Sequence, residues 1–208
     1  VKPDGTGLEK VTEGEHQRNI NDISPDGKRM LINSRRENPQ GDTYTMDIDG
    51  GNVRRITDNA FFEMGAAYSP DGNTIAISIQ IVPSADKSWM GNAELYLLDP
   101  DGKELKRLTT TDSTLEMLPA FSPDGKKLAY HAIEHGTSGI MVMDLATGKS
   151  TGLTKGDPDS RWPRWSPDGK WIAYTRMGDQ GTDVWVMHPD GTGKTGFIVG
   201  PGRDEIAA

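Results

Sequence analysis

The stretch WSPDGKWIAYTR, residues 165–176, has the pattern of a strand end, a tight turn and a complete second strand. The same pattern recurs as ISPDGKRMLINS from Ile23, YSPDGNTIAISI from Tyr68 and FSPDGKKLAYHA from Phe121. Proline presets φ at the first central turn position, and glycine accepts the positive φ that closes the hairpin. The sequence therefore predicts four equivalent hairpins. The glycines expected at positive φ are Gly27, Gly72, Gly125 and Gly169.

The aspartate of each SPDG turn also has a local explanation. Aspartate suits the second central turn position, where its carboxylate bonds nearby backbone. We therefore interpret these four aspartates as part of the turn, and not as ligands or catalytic acids. They are Asp26, Asp71, Asp124 and Asp168.

The hairpin repeats at an interval typical of propeller blades. Successive turn serines, at positions 24, 69, 122 and 166, are 45, 53 and 44 residues apart. Between them a second turn recurs, as DIDGGN, DPDGKE, DLATGKS and HPDGTG, so that each repeat yields four short strands. No stretch shows a sustained 3.6-residue hydrophobic period. We expect an all-β protein, a β-propeller of four-stranded antiparallel blades.

The turn count predicts four complete blades plus an orphan outer strand at the N-terminus. A fifth copy of the second turn, KPDGTG, begins at Lys2, and the strand that follows it at 5–12 has no partner strands from its own blade. Further blades, a second chain or closure of a four-bladed ring would complete the arc. The predicted division of the single propeller over 1–208 is the orphan strand in 1–15 and blades at 16–60, 61–113 (with an insertion at 80–93), 114–158 and 159–208.

Composition excludes several classes of function. Thirty-one acidic and 23 basic residues leave a formal charge of −8, which disfavours non-specific binding to nucleic acid or to an anionic membrane. No apolar run approaches the roughly 18–20 residues of a membrane-spanning helix, so we expect no membrane insertion. The chain has no cysteine, which excludes disulfides and thiolate chemistry. It starts at Val1 without a basic-then-apolar leader, so its compartment is not read from a signal peptide.

The complete blade pattern resembles a known family. TDVWVMHPDGTG, DTYTMDIDGGNVRRIT and AELYLLDPDGKELKRLT, together with the SPDG hairpins, resemble the blade of the TolB-like propellers over essentially the whole chain. The resemblance implies a larger propeller, usually of six blades, and a periplasmic or extracellular location. In TolB an envelope lipoprotein docks at the propeller. We therefore expect a non-catalytic binding or scaffold propeller whose partner is a protein, or a small ligand such as an oligosaccharide.

Enzymes share this blade, so a second class of function stays open. The alternative is the propeller of an enzyme, either an oligogalacturonate-lyase-like sugar lyase or the gating propeller of a serine peptidase whose catalytic domain lies outside this chain. The lyase would require a histidine-rich metal site, and the four histidines are scattered. The chain contains no G-x-S-x-G nucleophile motif. The sequence thus predicts no catalytic residue.

The connections opposite the SPDG turns differ between blades, and variable loops on a rigid scaffold usually carry binding. The strand that runs into each SPDG turn should be innermost, so the residues six positions before the turn serine are expected at the channel mouth. Arginine and tryptophan on the surrounding loops are favoured as interface anchors. The predicted binding residues are Arg18, Glu63 and Glu116 at the mouth, with Trp89, His135, Arg161 and Trp162 around it.

A second row of residues, two positions before each turn serine, also belongs to the expected channel wall. It contains Asp22, Ala67, Ala120 and Arg164, and so brings both signs of charge to one aqueous space. We expect no cofactor, while a cation bound in the channel stays open. His16 and His135 are the weak candidates for metal ligands, since both are expected to project toward the variable face.

Overall fold

The computed structural model describes residues 6–8, 10, 18–82, 91–111, 113–178, 181–200 and 202–204. The strands follow in chain order. The first group is β1 (Arg18–Ile23), β2 (Arg29–Ser34), β3 (Asp42–Asp47) and β4 (Arg54–Arg55). The second is β5 (Glu63–Tyr68), β6 (Ile75–Val82), β7 (Asn92–Leu98) and β8 (Glu104–Arg107). The third is β9 (Thr114–Phe121), β10 (Lys127–Glu134), β11 (Thr137–Asp144) and β12 (Ser150–Gly152). The fourth is β13 (Ser160–Trp165), β14 (Ile172–Gly178), β15 (Gly181–Met187) and β16 (Thr195–Ile198), and the short β17 (Gly202–Arg203) pairs with β15.

Each group is an antiparallel meander of four strands, paired in chain order. The second and third meanders are also joined by one parallel pair, Ala93 with Leu115. No helix occurs among the described residues, and none there is long and apolar enough to cross a membrane. The all-β propeller fold predicted from the repeats is thereby confirmed. The predicted orphan strand lies mostly outside the described residues, and its described positions, 6–8 and 10, belong to no strand.

The first strand of each meander is innermost, as predicted. β1 contacts β5, β5 contacts β9, and β9 contacts β13, so these four strands surround a common axis. Within the described residues, no Cα atom of β1 lies within 8 Å of one in β13. In the part of the chain that the structure describes, these four inner strands therefore form an arc.

The hydrophobic core lies between consecutive blades. Leu31 and Ile56 of the first blade pack with Ile75 and Ile77 of the second. The second and third blades share a similar cluster, and so do the third and fourth. Alternation of side chains along each strand explains this arrangement, because a central blade presents an apolar face to each neighbour. Burial between blades holds the inner strands in register around the axis.

The SPDG turns have the predicted geometry. Gly27, Gly72, Gly125 and Gly169 have φ values of 69°, 71°, 69° and 69°. In the third blade, Asp124 Oδ1 accepts hydrogen bonds from Ser122 Oγ at 2.6 Å and Lys126 N at 3.1 Å. These bonds, the serine bond first, lower the pKa of the Asp124 carboxyl. The other three turns repeat the bonds, so the turn aspartates hold the hairpins together as predicted.

Candidate functional site

The four inner strands enclose a cavity of about 200 Å³ near the ends that lead into the SPDG turns. Its wall includes Asp22 of β1, Ala67 and Tyr68 of β5, Ala120 of β9 and Arg164 of β13. The cavity thus gathers the whole row that precedes the turn serines by two residues. This confirms the sequence-based expectation that these four positions converge around the axis.

Two opposite charges stand on this wall. Asp22 accepts hydrogen bonds from the backbone N–H groups of Tyr68 at 2.8 Å and Ile23 at 2.9 Å. Burial raises the pKa of Asp22 despite these bonds and the Arg164 charge, which lower it. Burial lowers the pKa of Arg164, with Asp22 acting in the opposite sense. Among the described residues, no carboxylate lies within 4.0 Å of the Arg164 guanidinium. The Asp22 carboxylate and the Arg164 guanidinium thus line one cavity without forming an ion pair with each other there.

The inner strands are irregular beside this cavity. Each contains a β-bulge, and the positive φ values there are 88° at Gly65, 55° at Leu118 and 55° at Trp162. A Cβ atom at Gly65 would lie 2.9 Å from Leu118 Cδ2, so neighbouring bulges are in close contact. Positive φ at a residue other than glycine costs about 1–3 kcal/mol, and such strain is concentrated at functional sites. The bulges thus place strained backbone in the middle of the channel, beside the cavity.

Glu63, predicted at the channel mouth, lies instead between the first two blades and is only 4% exposed. Its carboxylate accepts hydrogen bonds from Thr43 Oγ1 at 2.7 Å, Thr57 Oγ1 at 2.9 Å and Asn59 Nδ2 at 2.7 Å. Burial raises the pKa of Glu63, while these three bonds lower it. The side chain joins two blades by hydrogen bonds. The prediction that it lies at the open channel mouth is therefore wrong. Its role in binding stays a prediction.

Glu116 holds the same position between the second and third blades and is also 4% exposed. Burial raises its pKa to about 7, against a hydrogen bond from Thr109, and the nearby Glu94 carboxylate raises the pKa further. Glu94 is 1% exposed and is bound by Arg107 Nε. Sequence reasoning missed Glu94, although a single charge within the apolar run AELYLL is a signal that could have indicated a buried carboxylate. The second predicted mouth residue thus also lies within a blade interface.

The interface between the third and fourth blades uses a histidine. Nε2 of the buried His131 shares a hydrogen bond with Ser138 Oγ, which donates to the carbonyl oxygen of Ser160 at 3.3 Å. Burial first, then Arg161, lowers the pKa of His131 to about 4, with Asp159 opposing. Nδ1 of this imidazole has no partner among the described residues, whereas a catalytic triad holds that nitrogen with a carboxylate. The group therefore joins blades and does not form a triad.

The other predicted site residues are spread over the molecule. Arg161 and Trp162 lie together at the bulge of β13, and Arg161 Nε bonds Asp159 Oδ2 at 3.0 Å. His135 is exposed in the turn between β10 and β11, with φ 49°. Of the five predicted residues whose side chains the structure describes, only the neighbours Arg161 and Trp162 therefore lie in one local group.

Three further predictions concern side chains that the structure does not describe. Trp89 and His16 lie outside the described residues, and of Arg18 only the backbone is described, at the start of β1. The proposed pair of histidines therefore stays a prediction. Within the described ranges, no group of three or more His, Cys, Asp or Glu side chains is arranged to hold a metal.

Comparison with known proteins places the fold in context. The chain is 29% identical over 187 residues to a TolB homolog from Chlorobium luteolum, covering 73% of this chain and 43% of that protein. It is 27% identical over 204 residues to the Tol-Pal system protein TolB of Francisella tularensis subsp. mediasiatica, covering 76% of this chain and 45% of that one. This chain thus spans less than half the length of these two relatives.

Solved structures agree at the level of the fold. TolB from Acinetobacter baumannii superimposes with a TM-score of 0.75 at 22% identity, covering 94% of this chain and 47% of that chain. An oligogalacturonate lyase in complex with manganese has a TM-score of 0.60 at 16% identity, covering 84% of this chain and 50% of that chain. Identities this low show the shared propeller fold alone. The TolB beta propeller domain model matches residues 77–205, and the chain therefore belongs to the TolB beta propeller domain family.

Proposed function

We propose that the chain is a non-catalytic binding and scaffold propeller that docks a protein partner, or a small polar ligand, at its axial channel. The observation that carries this proposal is the cavity between the inner strands, whose wall contains the half-buried side chains of both Asp22 and Arg164. Buried charges are costly unless a partner compensates them. A bound group that accepts from Arg164 and donates to Asp22 would supply that compensation.

The relatives support a protein as the partner. One of them is a TolB protein of a Tol-Pal system, and this resemblance also favours a periplasmic location. We extend the proposal to a partner segment that enters the channel at the SPDG end and reaches the bulge of β13. The variable-loop face, where the sequence analysis placed binding, stays a second predicted contact region.

Replacing Arg164 with alanine should weaken partner binding at least tenfold, because the variant removes the half-buried cation from the cavity wall. Isothermal titration calorimetry with a purified Pal protein of a Tol-Pal system as the probe measures this effect. Asp22→Asn should also weaken binding, and its amide oxygen still accepts from Tyr68 N. Arg54→Ala is the matched control, since this exposed arginine lies on the outer strand β4.

The same titration separates the two ends of the channel. Unchanged affinity in both cavity variants, with binding lost in His135→Asn in the exposed β10–β11 turn, would place the partner at the variable-loop end and contradict the proposed cavity site. Circular dichroism and thermal unfolding of each variant establish that the fold is retained.

A further inference from the structure

Two consecutive blade interfaces each contain a pair of carboxylates at equivalent positions. Asp42 and Glu63 lie close together between the first and second blades, and Glu94 and Glu116 do so between the second and third. In both interfaces an arginine of the outer strand binds the first carboxylate, and a threonine after that strand bonds the second. The hydrogen bonds of the first interface can therefore be compared directly with those of the second.

The first interface is complete in hydrogen bonds. Both carboxylate oxygens of Asp42 accept bonds, at 2.9 Å from an asparagine Nδ2 and 2.9 Å from an arginine Nε. Both oxygens of Glu63 also accept bonds, at 2.7–2.9 Å. The donors are Asn38, Thr43, Arg55, Thr57 and Asn59.

In the second interface the two donors that correspond to Thr43 and Asn59 of the first are replaced. The backbone N–H groups of Thr43 and Leu95 donate to the equivalent threonines at 2.9 and 3.0 Å, which aligns the two interfaces. In this alignment Leu95 takes the place of Thr43, and Thr111 takes the place of Asn59. Leucine offers no donor, and the threonine is too short to replace the asparagine amide. The second pair thus keeps both carboxyl groups with fewer hydrogen-bond donors around them.

Four buried oxygen atoms of the second interface have no hydrogen-bond partner among the described residues. They are Glu94 Oε1, Glu116 Oε2, Asn92 Oδ1 and Thr111 Oγ1. The amide of Asn92 donates to the carbonyl oxygen of Thr111, so these two residues are in contact. The arginine that binds Glu94 also donates to the carbonyl oxygen two residues before Thr111, at 3.1 Å. This segment therefore lies beside the carboxylates that face it.

We propose that this interface binds a divalent cation of the Ca²⁺ type, held by Glu94 and Glu116 carboxylates, the Asn92 amide oxygen and the Thr111 hydroxyl. All four ligands are oxygen atoms, which Ca²⁺ prefers, and two carboxylates faced by one arginine leave a net negative charge. Ca²⁺ takes six to eight oxygen ligands, so water supplies the remainder. We expect weak binding, with Kd on the order of 10⁻⁴ to 10⁻³ M, as in extracellular modules.

The cation would join two blades. Asn92 and Glu94 belong to β7, whereas Glu116 belongs to β9 and Thr111 to the connection between the second and third blades. Bridging by the cation stabilises the contact in the folded state alone, because the ligands come together only on folding. The site lies apart from the axial cavity, so this inference does not depend on the proposed function.

Thermal unfolding of the EDTA-treated 208-residue chain tests the inference, with Ca²⁺ or Mg²⁺ alone as the probe. Calcium at about 10 mM should raise Tm by about 3 to 8 °C, and magnesium by less, because Mg²⁺ gives up its water reluctantly. Glu116→Gln should abolish the calcium response. Glu63→Gln, the matched change in the complete interface, should keep it.

A second variant keeps the test decisive if Glu116→Gln folds poorly. Leu95→Thr combined with Thr111→Asn rebuilds the two donors of the first interface, and should raise Tm in EDTA while removing the calcium response. The inference is overturned by a wild-type chain that ignores calcium between about pH 6 and pH 8, since a shared proton then neutralises the pair. It is equally overturned if Glu116→Gln or the rebuilt variant responds to calcium like the wild type.

Discussion

Replacing Gly102 with alanine is expected to destabilise the chain by about 3 kcal/mol or more. Gly102 has φ 91°, and a Cβ atom added there would overlap the carbonyl oxygen of Ile56. That oxygen belongs to the preceding blade, so the clash pushes the turn of the second blade away from its neighbour. Urea unfolding followed by circular dichroism measures the loss as a change in the free energy of unfolding.

Gly125→Ala is the matched control, because both glycines end a Pro-Asp-Gly turn. Gly125 has φ 69°, and the nearest atom to an added Cβ is Pro70 Cδ at 3.6 Å, an ordinary contact. Its substitution should therefore cost only the left-handed backbone penalty, about 1 kcal/mol. Equal losses in the two variants would show that the Gly102 turn does not press against Ile56.

The same pair of glycines shows what the sequence determines. The tripeptide is identical in both turns, so local turn chemistry was sufficient to predict the hairpins and, through their spacing, the blades. The contact between Gly102 and Ile56 joins residues 46 positions apart in the chain, and no local pattern reports it. Architecture could thus be predicted from repetition, whereas the cost of changing one repeat depends on its neighbour.

Only one of the two predicted rows of channel residues lines the axial cavity, because a bulge interrupts the strand between them. Positions six and two residues before a turn serine face the same side of a regular strand. The bulge in β5 places four residues, Glu63 to Ala66, opposite three on β6, Ile79 to Ile77. One extra residue reverses the alternation of side chains. The row nearer the turn therefore reaches the axial cavity, and Glu63 turns into the blade interface.

His131 should make stability depend on pH. Burial, reinforced by Arg161, lowers the pKa of this imidazole to about 4 in the folded chain, against about 6.5 when unfolded. Between these values the unfolded chain binds a proton that the folded chain does not, so the stability present above about pH 6.5 is lost as pH falls toward 4. The expected loss is about 3 kcal/mol.

Comparison with His131→Gln isolates this effect. Glutamine does not titrate and retains an amide that can bond Ser138, so its stability should fall less on acidification. Glu116 acts in the opposite direction, because its raised pKa gives stability at low pH that is lost as pH rises through about 7. Both proteins contain Glu116, so its contribution cancels in their difference. The free energy of unfolding of each protein is therefore measured at about pH 7.5 and at about pH 4.5. We expect the difference between the two proteins to be smaller at the lower pH. The same difference at both pH values would show that His131 titrates normally in the folded chain.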